Sequence, residues 1–130
     1  MIALDSSAVL AILFDEPEAE RLIDALEAAA AASISVASVL ECAMRLAPRR
    51  DVDESDKLDA FLALYEVRVV PVDVAHLRLA RSAYLQFGKG RHTAALNFGN
   101  CFAYALAKAL DAPLLFVGND FAKTDLTSAA

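Results

Sequence analysis

Short apolar runs set apart by helical patterns constrain this chain more than any other feature of its sequence. Met1-Ile2-Ala3-Leu4, Ser33-Ile34-Ser35-Val36, Val67-Arg68-Val69-Val70-Pro71-Val72 and Leu114-Leu115-Phe116-Val117 have the length and residue types of buried strands. Asp15-Glu16-Pro17 predicts the start of a helix, with early negative charge and a proline near the first turn. Ala19, Leu22, Ile23 and Leu26 then follow at the spacing of one helical face. Further helices are predicted from about Ser38 to Leu46, stopped by Pro48, and from a cap at Asp53, with Leu58, Phe61, Leu62 and Tyr65 turned inward. Another runs from a cap at Asp73 to Gly88 with Leu77, Ala80 and Tyr84 inward, and a last one from about Gly99 to Leu110. Strands that are nearly continuous apolar runs, separated by helices, are the pattern of a parallel sheet covered on both faces. The expected fold class is α/β, with a central parallel sheet of four to five strands flanked by helices on both faces.

A chain of 130 residues, 58% of them hydrophobic, fits one domain over 1–130 with a filled core. No apolar run reaches the roughly 20 residues of a membrane-spanning helix. Asp5 precedes the apolar stretch Ala8 to Phe14 and no Lys or Arg lies upstream, the wrong charge pattern for a secretory signal. A cytoplasmic protein is expected. Cys42 and Cys101 lie inside apolar helical patterns, far from any CxxC spacing, and are expected to be reduced and packed as small hydrophobes.

The net charge of −6 argues against a generic nucleic-acid coat protein. The charge is uneven, however. Val74 to Leu110 contains no acid but carries Arg78, Arg81, Lys89, Arg91 and Lys108, with His76 and His92, while acids crowd Asp15 to Glu27 and Asp51 to Asp59. Arg78 and Arg81 fit a solvated helix face. Lys89-Gly90-Arg91-His92 reads equally as an anion-contacting loop or as a soluble connector.

In an open parallel sheet, ligands bind beyond the carboxyl ends of the strands. Asp5 and Asp120 follow the first and last strands, Glu41 falls in the first turn of the helix after the second strand, and Asn100 falls in the first turn of the helix leading into the last. These four side chains are expected to converge. Oxygen donors without His or Cys suit Mg²⁺ or Mn²⁺ rather than zinc. Such a cluster repels itself unless a cation neutralises it, and the matching chemistry is phosphodiester hydrolysis. Structural alternatives stand beside each role. Ser38 and Glu41 also match a capping box, Asp120 beside Gly118 and Asn119 matches a turn, and Asp5 matches a helix N-cap. Asp125 is expected to cap a last short helix.

The chain resembles the VapC toxins of the PIN-domain superfamily over essentially its whole length. The resemblance rests on five segments in order: Ile2-Ala3-Leu4-Asp5-Ser6-Ser7-Ala8, Ser38-Val39-Leu40-Glu41, Gly88-Lys89-Gly90-Arg91-His92, Leu96 to Ala107 with Asn97-Phe98-Gly99-Asn100-Cys101, and Leu114 to Phe121. It implies a Mg²⁺-dependent endoribonuclease, usually a homodimer, that cuts tRNA or ribosomal RNA and slows translation. It also implies a small VapB antitoxin that covers the acidic site and alone contacts operator DNA. By the same resemblance Asp5, Glu41 and Asp120 look like three of the family's acids and Ser7 like the hydroxyl beside the first, while Lys89, Arg91 and His92 are candidate RNA contacts from the charge of their loop. The fourth acid belongs at Asn100.

Asparagine keeps the shape and one acceptor oxygen but loses a full charge, so divalent affinity should fall. The expected consequence is an impaired enzyme, or a PIN-fold protein that acts only as an antitoxin-binding partner. Two other enzyme classes also begin with a strand ending in Asp. A haloacid-dehalogenase-type phosphatase needs a second Asp where Ser7 stands, and a receiver domain needs paired acids after the first strand and a Lys after the last.

Overall fold

The computed structural model describes residues 1–130. Four parallel strands form one sheet in the order β3-β2-β1-β4, with β1 at Ile2–Leu4, β2 at Ala32–Ser35, β3 at Arg68–Val70 and β4 at Leu114–Leu115. Six helices connect them: α1 (Ser6–Leu13), α2 (Ala19–Ala28), α3 (Val36–Leu46), α4 (Ser55–Leu64), α5 (Val74–Phe87) and α6 (Phe98–Leu110). The register pairs Leu4 with Ile34 on one side and with Leu115 on the other, which sets Asp5 at the carboxyl edge level with Ser35. The chain winds outward from β1 to β3, then α5 and α6 carry it back to β4 on the other side of β1. That reversal puts the ligand-binding crevice of such a sheet at the end of β1.

Alternation along the strands divides the core. Ile2, Leu4, Ile34 and Leu115 join Val9, Leu22, Leu26, Leu46 and Leu58 from α1 to α4 on one face. Ala3, Leu114 and Phe116 join Ala83 and the apolar side of α6 on the other. Both sheet faces are covered, as the apolar runs require. No helix is long and apolar enough to cross a membrane.

Several sequence expectations shift. Ser6–Leu13 is a helix that the pattern did not declare, because its apolar residues show little face preference, and Asp5 is its N-cap. Asp15 takes φ +52 in the turn that follows, so α2 begins at Ala19 rather than at Asp15. The α3 helix starts at Val36, two residues early, and its cap is Ser35, whose hydroxyl accepts from Ala37 N at 3.3 Å. The Ser38–Glu41 capping box therefore does not form, and Glu41 lies in the second turn. On α5 the inward residues are His76, Ala80 and Ala83, while Leu77 and Tyr84 stay 57% and 42% exposed. Ala80 and Ala83 let α5 pack closely on the alanine-rich face of α6, which favours the small residues over the large ones. The other boundaries, including the Asp73 cap of α5, fall within two or three residues of expectation.

Candidate active site

Asp5 is 2% exposed, the most deeply buried of the sequence-selected acids. Its Oδ2 accepts from the Ser7 amide at 3.0 Å and from the Ser7 hydroxyl at 2.6 Å, which caps α1. The same Ser7 Oγ accepts from Val117 N at 3.0 Å, so one hydroxyl ties the end of β1 to the chain beyond β4. Oδ1 of Asp5 is buried and has no hydrogen-bond partner. Burial pushes this carboxyl above the ordinary carboxylate range, the Ser7 bonds oppose the shift, and the Asp120 charge adds to it.

Glu41 approaches from α3, half-buried, with Oε1 accepting from Ser6 Oγ at 3.4 Å. Its carboxyl is also raised, by burial and then by the charge of Asp5. On its other side stands Gly99, in the first turn of α6. A Cβ there would lie 2.6 Å from the Glu41 Cδ and collide with Oε2, so any side chain at 99 would push the carboxylate out of this position. The next residue is Asn100, whose Oδ1 accepts from Asn97 N at 3.0 Å while its own amide donates to Asn97 Oδ1 at 2.9 Å. This reciprocal cap starts α6.

The turn before Asp120 is made by Gly118 at φ +99, and Asp120, exposed, makes no side-chain cap bond. Its side chain is thus free of the turn role that its neighbours suggested. The structure brings Asp5 within charge reach of both Glu41 and Asp120, and Glu41 against the start of α6. It does not close three acids into one metal-holding group. Cys42, the residue after Glu41, has its thiol pushed up to about 12 by burial and then by the Asp5 and Glu41 charges, so it is no nucleophile at neutral pH.

The PIN-domain family model matches residues 2–126. Ribonuclease VapC30 of Mycobacterium tuberculosis is 43% identical over 129 residues, covering 99% of this chain and 98% of its own. This chain belongs to the VapC ribonucleases of the PIN-domain family. The crystal structure of Mycobacterium tuberculosis VapC20, described as a sarcin-ricin loop cleaving toxin, shares the fold at TM-score 0.74 and 16% identity, covering 98% and 97% of the two chains. VapBC2 from Rickettsia felis, solved with a promoter DNA fragment, shares it at TM-score 0.72 and 16% identity, covering 95% and 92%. The PIN fold thus replaces the phosphatase and receiver readings.

Around this PIN-domain edge the loop Lys89-Gly90-Arg91-His92 lies exposed, folded on Gly88, whose carbonyl accepts from Arg91 and His92 amides at 2.9 and 3.0 Å. Lys123 Nζ, three residues past Asp120, donates to Thr93 O at 3.5 Å, which links the basic loop to the Asp120 segment. Asp125 caps no helix. It accepts from Tyr104 OH at 2.7 Å and from Lys108 Nζ at 2.6 Å, and it follows a single 3-10 turn, Phe121–Lys123. Two site residues escaped sequence reasoning on their own account. Ser6 passed as a neighbour of Asp5, and Gly99 as part of a motif. A glycine inside the first turn of a predicted helix was the available signal.

Proposed function

We propose that this chain is a Mg²⁺-dependent endoribonuclease, with Mn²⁺ as an alternative metal, and the toxin of a VapBC-like toxin–antitoxin pair. The observation that carries the proposal is the unpartnered Oδ1 of Asp5, a buried carboxylate oxygen within charge reach of Glu41 and Asp120. A buried carboxylate without a partner shifts toward its neutral form unless a cation stabilises its charge. The donors at this edge are oxygens, which fit a hard divalent cation. Asp5, Glu41 and Asp120 would hold it. Bound there, such a cation supplies water activation and charge neutralisation at the scissile phosphate.

The chain's own residues supply the rest. Ser7 fixes Asp5 and anchors the Asp120 side of the edge, and Ser6 and Gly99 fix Glu41. Lys89, Arg91 and His92 are the proposed contacts to the RNA backbone, with tRNA or ribosomal RNA as the substrate class. The proposed protein partners are a VapB-like antitoxin and a second copy of the chain, with operator DNA reached only through the antitoxin. A groove lined by Ser6, Leu10, Glu41, Met44 and Arg45 supports the antitoxin role, because a segment seated in it would cover Glu41. Val36, Leu40 and Met44 form an exposed apolar stripe on α3 beside it.

Asn100 modifies this reading. Its one carbonyl oxygen already caps α6, and the atom left over is an amide nitrogen, a donor that ligates no cation. An aspartate would make the same cap with one oxygen and offer the other. The alternative reading, a PIN domain that binds its antitoxin without cutting RNA, is favoured by this residue alone. Asn100→Asp decides between them. It is expected to raise Mg²⁺-dependent RNA cleavage by roughly a thousandfold and to tighten Mg²⁺ binding by calorimetry. An Asn100→Asp chain that is folded yet inert on several tRNAs and on ribosomal RNA removes the nuclease reading.

A further inference from the structure

Lys123 is a cation that the chain leaves without a counter-charge. It closes the 3-10 turn Phe121–Lys123, three residues past Asp120, and both residues are exposed. A 3-10 turn eclipses side chains at i and i+3, so Lys123 leaves the turn on the side of Asp120. The turn itself is fixed. Phe121 is buried against Phe116, with ring centroids 5.4 Å apart, and the Thr124 hydroxyl donates to Phe121 O at 2.6 Å. Asp125, two residues on, is already occupied by Lys108 and Tyr104. The ion pairs of the chain join Lys57 to Glu54 and Lys108 to Asp125, and Lys123 has none. Its one bond runs to Thr93 O, at 3.5 Å, on the chain that follows Lys89-Gly90-Arg91-His92. An ammonium has three donors, so two stay open.

We propose that Lys123 is a phosphate-binding residue that holds the RNA phosphate next to the scissile one, between the Asp120 turn and the basic loop. The proposal rests on the endoribonuclease reading of the acidic edge. A site lined by Asp5, Glu41 and Asp120 repels a polyanion, and a cation fixed at its rim offsets that repulsion. Lysine suits the task, because its compact charge and rotatable donors can follow a single phosphate oxygen. The bond to Thr93 is long, so it steadies the ammonium yet yields to a charged acceptor. A nucleic-acid backbone fits this flank better than an acidic peptide does. Its cations come from two segments joined at Thr93, with Lys89, Arg91 and His92 in one and Lys123 in the other. Such a spread matches a charge repeated along a strand, and no carboxylate occurs from Val74 to Leu110 to interrupt it.

The chain as it stands, with Asn100, suits a binding test because its RNA should stay intact. Lys123→Met keeps the stem and removes the charge. The probe is a mixed-sequence single-stranded oligoribonucleotide without divalent metal, read by anisotropy. Lys123→Met is expected to weaken its binding about fivefold at low salt and to lower the salt slope by about one. Lys123→Arg should keep the parent slope. In a Lys89→Ala/Arg91→Ala chain, Lys123→Met is expected to take a further one from the slope, as an independent contact does. No further loss in that background overturns the proposal, since Lys123 would then act only by propping the loop. Parent-like affinity and slope in a folded Lys123→Met chain also overturn it, and loss of antitoxin binding in the same variant would assign the lysine to a protein partner. In an Asn100→Asp chain that cuts, Lys123→Met should raise KM more than it lowers kcat. Unchanged kinetics there sink the phosphate contact alone. RNA binding that depends on Lys123, in a chain whose Asn100→Asp form never cuts, sinks the nuclease reading and leaves Lys123 as an RNA contact.

Discussion

Two aspartates near opposite ends of the chain accept almost identical hydroxyl hydrogen bonds, yet their acidities move in opposite directions. Asp5 takes 2.6 Å from Ser7, and Asp125 takes 2.7 Å from Tyr104. At Asp125 burial raises the pKa, but the bonds from Lys108 and Tyr104 and the Lys108 charge outweigh it, so the carboxyl ends below the ordinary range. Its second oxygen holds the Lys108 ammonium at 2.6 Å. At Asp5 burial wins, no cation of the protein stands by, and the second oxygen has no partner. The length of a hydrogen bond therefore says little about what a carboxylate is for. Asp125 is complete, and it pins the C-terminal segment to α6. Asp5 keeps one oxygen without a partner, the place that the proposed function gives to a divalent cation.

The widest separation between the two is expected in catalysis. In an Asn100→Asp chain, Asp5→Ala should cost roughly a thousandfold or more in RNA cleavage. Asp125→Asn should change the rate by less than about threefold below its melting temperature, since only a stabilising contact is lost. Equal losses in a quantitative cleavage assay would erase the distinction between a site and a clasp.

Stability should separate them by sign. Asp125→Asn removes a half-exposed ion pair and weakens the Tyr104 bond, a loss of about 1 kcal/mol, or about 3–5 °C in Tm for a domain of this size. Asp5→Asn keeps a competent N-cap and removes a desolvated charge, so in metal-free buffer near neutral pH it should raise Tm. Calorimetric melts of both variants test this, and a fall in both would place Asp5 with the structural carboxylates.

The smallest effect is on pH dependence. The folded pKa values of Asp5 and Glu41 lie above their unfolded values, so the native state binds more protons than the unfolded state. Their contribution to stability is full below the unfolded carboxylate range and is lost as pH rises through the raised values. Asp125 runs the other way, its contribution being lost only as pH falls through its lowered value. Metal-free Tm measured from about pH 4 to 8 should therefore show an alkaline decline that flattens in Asp5→Asn. A decline of the same slope in that variant would assign it to other groups.

Much of the molecule was legible before any coordinate. Apolar runs too short for helices, set between amphipathic segments, leave little choice but a parallel sheet with both faces covered. The strand ends then place Asp5 and Asp120 at one edge, and Asn100 near the start of a helix is readable from local pattern. The errors have one source. Glu41 lies a turn deeper than expected because Ser35, not Ser38, caps α3, and both serines satisfy the local rule. The inward face of α5 fell on Ala80 and Ala83 rather than on Leu77 and Tyr84, because close helix packing rewards small side chains. Asp125 found Tyr104 and Lys108 instead of a helix to cap.

The sequence by itself thus determined the fold class and the edge that carries the acids, since these follow from periodicity and from residue types at strand ends, while five motif segments carried the resemblance to the family. Only the tertiary structure decided which carboxylate keeps an unanswered oxygen. That outcome rests on groups far apart in the chain, such as Ser7 against Val117, 110 residues away, and Glu41 against Gly99. Burial and partners are properties of the packed whole, and they turn two chemically identical aspartates into a clasp and a site.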